Sequence, residues 1–472
     1  MSLPVRTDEL FGALPAGGVR ALEARHGNTG LIRVLAALEM AGPHEVLSPW
    51  ELRDPGGRHL IHAGGYAALP FGEFYEPLVS FVQDFLSRTR NQALPTQAAS
   101  SWRAALGTNL VALLARHAPS HRDSQVFFSN SGAEAVEAAL KIVRAARPDA
   151  PKIVNFSRAY HGKTFGALSL TPSEDYQAAF RPLLGGVLTL PYGDADGLEH
   201  LLKTERGRVG AVVVEPVQGE GGVRVPPPGF LPAVGTLAQQ HGALVVADEV
   251  QSGLGRCGHD FASLAGGLEP DIVTLAKPLG GGLVPVGATI ARRELMGGLL
   301  GGLGGKRHSS TFGGGSLAMA VGLKSLELIE DGGLAERARV MGERGLERLK
   351  TLAARYPDFF EDVRGAGMLF ALQLRPVVPF AALWPEALGG ETLSQLGSAL
   401  GLRTLHRHGL HACYTLNSSR TLRLTPALNM PDETFDEMFA RLEGAAASPG
   451  SRSLLSAPPA VLAKLAKLAL QG

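Results

Sequence analysis

The spacing of apolar positions changes along this chain, and the changes mark its elements. Three short runs, Ala211 to Glu215, Leu244 to Asp248 and Asp271 to Ala276, are almost wholly apolar and rich in β-branched residues. Strands covered on both faces read this way, because neither face meets water. The runs recur at roughly thirty residues, about one strand–helix–strand unit, and so predict a mostly parallel sheet. Upstream, Leu31 to Leu38 has helical spacing, while Leu52 to Ile61 reads as strand, tight turn, strand around Asp-Pro-Gly-Gly. Beyond residue 316 two long helical patterns, Leu317 to Ile329 and Leu334 to Ala353, precede an alternating strand over Val363 to Leu374. Another strand follows at Thr421 to Thr425, and together these predict a smaller α+β domain.

The expected organisation is an α/β protein in four parts. Residues 1–74 form an N-terminal segment contributing to the small domain, and 75–325 the large domain with the parallel sheet. Residues 326–446 form the C-terminal small domain, and 447–472 a linker and tail helix. In that tail Val461, Leu465 and Leu468 share one helical face, which predicts packing on the protein or on a second copy of it.

Ligands of parallel sheets gather at the carboxyl ends of the strands. Each of the three apolar runs leads into a charge there: Glu215, Asp248 and Lys277. One such charge only marks where a strand meets solvent, but three together, followed by glycine or proline turns, point to a site. Glycine supplies 60 of the 472 residues, nearly twice the usual share of roughly 7%. Net charge is +1 and the isoelectric point about 7.9, so no overall field draws in nucleic acid or an acidic membrane. No run of 18 apolar residues occurs and only two cysteines are present, which predicts a cytoplasmic protein acting on small molecules.

Lys277 sits between an apolar strand, a proline and three glycines. Taken alone, it reads as a strand-end lysine whose head snorkels to water. At the base of a cleft, however, lost hydration lowers its pKa and primes it to attack a carbonyl such as an aldehyde cofactor. Pyridoxal phosphate also needs a carboxylate at its ring nitrogen, which Asp248 can supply, and backbone donors for its phosphate. Ser129 to Lys141 gives a Ser/Gly turn opening a strong helix, a natural anion site although ordinary capping by Asn130 or Ser131 explains it equally. Tyr160 follows another apolar run and could face the ring.

With these residues in view, the chain resembles the class III aminotransferases of the pyridoxal-phosphate fold type I group from about residue 50 to 445. The likeness rests on Asn-Ser-Gly-Ala-Glu-Ala (130–135), Tyr-His-Gly (160–162), Glu-Pro-Val-Gln-Gly-Glu-Gly-Gly (215–222), Asp-Glu-Val-Gln-Ser-Gly (248–253), Ala-Lys-Pro-Leu-Gly-Gly-Gly (276–282) and Ser-Thr-Phe-Gly-Gly (310–314). The resemblance implies that Lys277 carries the cofactor as a Schiff base and that Asp248 pairs with its ring nitrogen. It places Ser131, Gly132 and Ala133 at the phosphate, and Tyr160, His161, Glu215, Val250 and Gln251 around the ring. Thr311 would reach the phosphate of a neighbouring subunit, which implies a homodimer. Arg423 matches an arginine that binds a substrate carboxylate, and Glu220 a glutamate that pairs with it in ornithine-type members. The resemblance thus implies a switch in which Glu220 masks Arg423 while a terminal amine reacts and frees it for 2-oxoglutarate.

The stretches at 222–230, 285–290, 365–369 and 415–421 look most similar to putrescine and other diamine aminotransferases, while ornithine and acetylornithine enzymes share most of the remainder. The expected donors are therefore putrescine, ornithine, acetylornithine or lysine, with a racemase or aminomutase of the same fold as the alternative. Gly315-Ser316 and Gly72-Glu73 depart from the family pattern and bear on the substrate pocket. A P-loop ATPase is excluded, because Leu300 to Arg307 lacks both its first glycine and its Ser or Thr. His406, His408, His411 and Cys413 match no common zinc spacing, so no metal is expected and the histidines read as solvated loop side chains.

Overall fold

The computed structural model describes residues 16–375 and 390–448, together with residues 7, 10, 461 and 463–465. After a helix at Thr29–Ala37, the chain forms β1 (Glu45–Ser48), β2 (Glu51–Arg53) and β3 (His59–His62). The turn between β2 and β3 closes as its chemistry predicts: the Gly57 amide donates to the Asp54 carbonyl, with Gly57 at φ 82°.

The seven strands of the large sheet are β4 (Gln125–Ser129), β5 (Lys152–Phe156), β6 (Val187–Leu190), β7 (Val209–Val214), β8 (Leu244–Asp248), β9 (Ile272–Leu275) and β10 (Gly287–Ala291). Their order is β4-β10-β9-β8-β7-β5-β6, and β10 alone runs antiparallel to its neighbours. The three predicted strands are therefore β7, β8 and β9, side by side and parallel. Alternate residues of β7 serve different cores. Ala211 and Val213 pack with the helix Gly132–Ala146, whereas Val212 and Val214 pack with the helices Ala195–Thr204 and Phe230–Gln240. Each buried valine contributes on the order of 1.5–3 kcal/mol, which explains why a covered strand is apolar throughout.

The helices Ser316–Asp331 and Leu334–Arg355 occupy the two predicted stretches. Val363 to Leu374 is not one strand. It divides into β11 (Phe360–Ala366) and β12 (Leu369–Leu374), an antiparallel hairpin with Ala366 opposite Leu369 and Gly367 at φ 53° in the turn. The turn, Gly367-Met368, is small and apolar and does not interrupt the alternation, which is why the break is silent in the sequence. After the helix Gly390–Arg407 come β13 (Leu410–His411), β14 (Cys413–Tyr414) and β15 (Thr421–Leu424), followed by the helix Asp432–Ala447. One four-stranded sheet has the order β11-β12-β15-β14, and the other, β1-β2-β3-β13, joins an N-terminal hairpin to a strand some 350 residues later.

The histidines expected in a solvated loop are elsewhere. His406 lies in the last turn of its helix at 1% exposure, His411 is in β13, and His408 bonds back to the Thr404 carbonyl. Both flanking elements pack on the core, and burial of this kind leaves no mark in local spacing. In the tail, Val461 and Leu465 are buried in the largest hydrophobic cluster, which also takes in residues of the large sheet. Leu468 and residues 449–460 lie outside the described residues.

Candidate active site

Three adjacent parallel strands end together, so their terminal charges converge. Asp248 closes β8, Glu215 follows β7, and Lys277 stands two residues beyond β9. They line a cavity of about 500 Å³ at the carboxyl edge of the large sheet, with Ser131, Gly132, Ala133, Tyr160, His161, Val250 and Gln251. Ten of the thirteen residues nominated from sequence thus share one cavity.

Lys277 opens a single turn of 3₁₀ helix at φ 27°, a left-handed conformation uncommon for a side-chain-bearing residue. Among the described residues no hydrogen bond or ion pair holds its amine, which faces the cavity. Burial lowers its pKa, partly countered by the nearby Glu220 carboxylate and reinforced by Arg423. The environment therefore favours an uncharged, nucleophilic amine.

Asp248 is held by three donors. His161 Nδ1 lies 2.7 Å from Oδ2, while the Val250 amide (3.1 Å) and the Thr274 hydroxyl (3.0 Å) donate to Oδ1. The neighbouring Glu215 has its pKa pushed well above the usual carboxylate range, first by burial and then by repulsion from Asp248. It accepts the Tyr160 amide at 3.2 Å. Both effects favour the neutral form of Glu215.

The predicted Ser/Gly turn is the N-terminus of the helix Gly132–Ala146. Ser131 Oγ accepts from the Glu134 amide at 3.2 Å, and the Glu134 carboxylate reaches back to the Asn130 amide at 2.5 Å. The Gly132 and Ala133 amides have no acceptor within the helix and open onto the cavity, which makes an anion site. Gly132 is required by close packing, since a Cβ there would stand 2.7 Å from Val250 Cγ1.

On the far side of Gln251 lies a second constellation. Arg423, in the middle of β15 and 0% exposed, donates through Nη1 to Glu220 Oε1 at 2.6 Å and to Gln251 Oε1 at 2.7 Å. Gln251 Nε2 donates to the same Glu220 oxygen at 3.2 Å, and the Leu416 amide donates to Oε2 at 3.1 Å. Burial alone would raise the Glu220 pKa, but Arg423 and Lys277 outweigh it and leave it lowered. Nε and Nη2 of Arg423 have no partner among the described residues, and its guanidinium lies 5.4 Å from the Tyr66 ring.

Thr311 is not brought to this cavity. It lines a separate one with Asn130, Glu134, Glu137, Lys141 and His308, and the two cavities share only Asn130. Sequence reading missed Thr274, whose hydroxyl positions Asp248. The one available signal was a lone polar residue in the buried run Ile-Val-Thr-Leu, and the register that sets Thr274 opposite Asp248 gives it meaning.

The residues fit pyridoxal phosphate: an unpaired amine, a fixed carboxylate, an unsatisfied helix N-terminus, and His161 Nε2, a buried ring nitrogen with no partner. Comparison with known proteins agrees. Residues 51–446 match the family model for class-III aminotransferases. The ornithine aminotransferase of Toxoplasma gondii is similar at 25% identity over 94% of this chain and 98% of its own, with a TM-score of 0.78. An acetylornithine aminotransferase from Elizabethkingia anophelis is 28% identical over 91% of this chain and 98% of its own (TM-score 0.72). An amine transaminase from an uncultivated Pseudomonas species, in its pyridoxal-phosphate-bound form, is 26% identical over 86% of this chain and 94% of its own (TM-score 0.73). The chain belongs to the class-III aminotransferases, fold type I enzymes that use pyridoxal phosphate.

Proposed function

We propose that this aminotransferase moves a terminal amino group from a diamine or basic amino acid, of the putrescine, ornithine, acetylornithine or lysine type, to 2-oxoglutarate. The observation that carries the reading is the 2.6 Å pair between Glu220 and Arg423. With its charge offset by Glu220, Arg423 attracts a donor's α-carboxylate less strongly, which favours a donor entering by its terminal-amine end. Released from Glu220, the same guanidinium forks onto an acceptor carboxylate.

When bound, the cofactor supplies an aldehyde for the incoming amine and a protonated ring that draws electrons from the donor carbon. Asp248, oriented by His161, Val250 and Thr274, would keep that ring nitrogen protonated. The Gly132 and Ala133 amides would hold its phosphate, and Tyr160 and Val250 would pack against its ring. Lys277 Nζ accepts the proton leaving the amine-bearing carbon of the donor and returns it. The donor departs as an aldehyde, and 2-oxoglutarate departs as glutamate.

The test is glutamate formation from 2-oxoglutarate with each donor, for the wild-type protein and for Glu220→Ala. Wild-type protein should prefer terminal amines. The variant should lose at least about tenfold of that preference, equivalent to ~1.4 kcal/mol in relative barrier. A variant with unchanged donor preference, or a wild-type protein that prefers α-amines, defeats the proposal.

A further inference from the structure

Far from the reactive lysine, the fold gathers a cluster of histidines that the transfer chemistry does not use. His44 precedes β1, His406 closes the helix Gly390–Arg407, and His411 lies in β13. One ring nitrogen from each lies within 4.8 Å of the other two. Ring centroids are 5.9 Å apart for His44 and His406, and 5.4 Å for His44 and His411.

Hydrogen bonding identifies the unused atoms. His406 Nε2 lies 2.9 Å from Asp54 Oδ2, and Asp54 is in turn held by the Arg58 amide and guanidinium. With its Nε2 proton given to Asp54, His406 turns a bare Nδ1 inward, and that Nδ1 has no partner among the described residues. His44 Nε2 and His411 Nδ1 are likewise buried and unpartnered. Three orphaned nitrogens in one place would each cost about 1–3 kcal/mol. The nearby His62 is different: Glu73 stands 3.1 Å from its Nε2, and its Nδ1 accepts the Gly64 amide. It is fully occupied and belongs to no donor set.

We propose that His44, His406 and His411 form a binding site for a divalent borderline metal ion, with zinc as the ion of choice. Imidazole nitrogen suits zinc and its late first-row neighbours, and tetrahedral zinc places ligand nitrogens about 3.3 Å apart. The Asp54–His406 bond is the carboxylate–histidine support that orients a ligating ring. The fourth position is left to water.

The role is structural. The ion would tie the segment ahead of β1 to β13 and to the end of the preceding helix, beside the parallel pairing of His411 with His62. It would therefore lock the N-terminal hairpin onto the small domain.

The experiment uses the pyridoxal-phosphate holoenzyme, stripped with a chelator and titrated with Zn²⁺ by calorimetry and with Co²⁺ by its visible d–d bands. His44→Gln is the key variant, because His44 lies in a partly exposed loop and supports no strand pairing. Asp54→Asn is a second, weakening the support of His406 together with the Arg58 ion pair. The expected result is one ion per chain and a rise in Tm on adding zinc. Affinity should fall at least tenfold in His44→Gln and less in Asp54→Asn, with aminotransferase activity retained in both. Sub-stoichiometric uptake by the wild-type chain, or equal affinity in His44→Gln, overturns the proposal.

Discussion

Lys277 is enclosed with no hydrogen bond or ion pair to its amine among the described residues, and desolvation lowers its pKa against the pull of the nearby carboxylates. Lys277→Ala should fold normally yet lose aminotransferase activity by at least about 10³-fold, because nucleophile and proton carrier vanish together. Turnover assays beside circular dichroism check this, and residual activity within tenfold of wild type would contradict it. Glu215 makes a subtler case. Its folded pKa is raised, so between its ordinary value near ~4.3 and that raised value the folded chain holds a proton the unfolded chain has released. The contribution of Glu215 to stability is therefore complete at acid pH and declines as pH rises through this window. Glu215→Gln imitates the neutral acid and keeps an acceptor for the Tyr160 amide. Its Tm should match wild type near pH 4 and exceed it near neutrality, as thermal melts across pH would reveal.

Among the elements, two tight turns govern the site and its support. At the helix opening, Gly132→Val would drive methyl groups into Val250 and Ala276. It should weaken phosphate affinity well over tenfold while costing about 1–3 kcal/mol of stability, measurable by cofactor titration and urea unfolding. In the β11–β12 hairpin, Gly367 combines φ 53° with backbone neighbours, since an added Cβ would lie 2.5 Å from the Arg256 carbonyl oxygen. Gly367→Ala should therefore destabilise by more than about 3 kcal/mol. How far these features could be read beforehand depends on range. Buried parallel strands announce themselves locally, so β7, β8, β9 and their charged ends were legible. The Glu220–Arg423 contact spans 203 residues and was reached only through family resemblance. The hairpin at Gly367, the burial of His406 and the placing of half-buried His411 in a strand were missed, because neither an apolar turn nor tertiary packing alters the local pattern.

At the scale of the molecule, Thr311 lies apart from the Lys277 cavity, and in the expected homodimer it would serve the other subunit. Phe312 beside it is 65% exposed, an aromatic surface that a second copy would cover. Phe312→Glu should shift the protein toward monomer in analytical ultracentrifugation and reduce cofactor retention. A variant that stays dimeric with full cofactor would count against this arrangement.

The strand order also determines when parts of the molecule can exist during synthesis. β4 emerges early but has a single neighbour in its sheet, β10, about 160 residues downstream, and β3 must wait longer still for β13. A chain leaving the ribosome therefore carries exposed strand edges until its last quarter has been made, and those edges invite pairing with other nascent chains. Chaperone demand for this enzyme should be set by that interval, and mutations slowing the docking of β10 should lower yield even where the finished fold is unharmed.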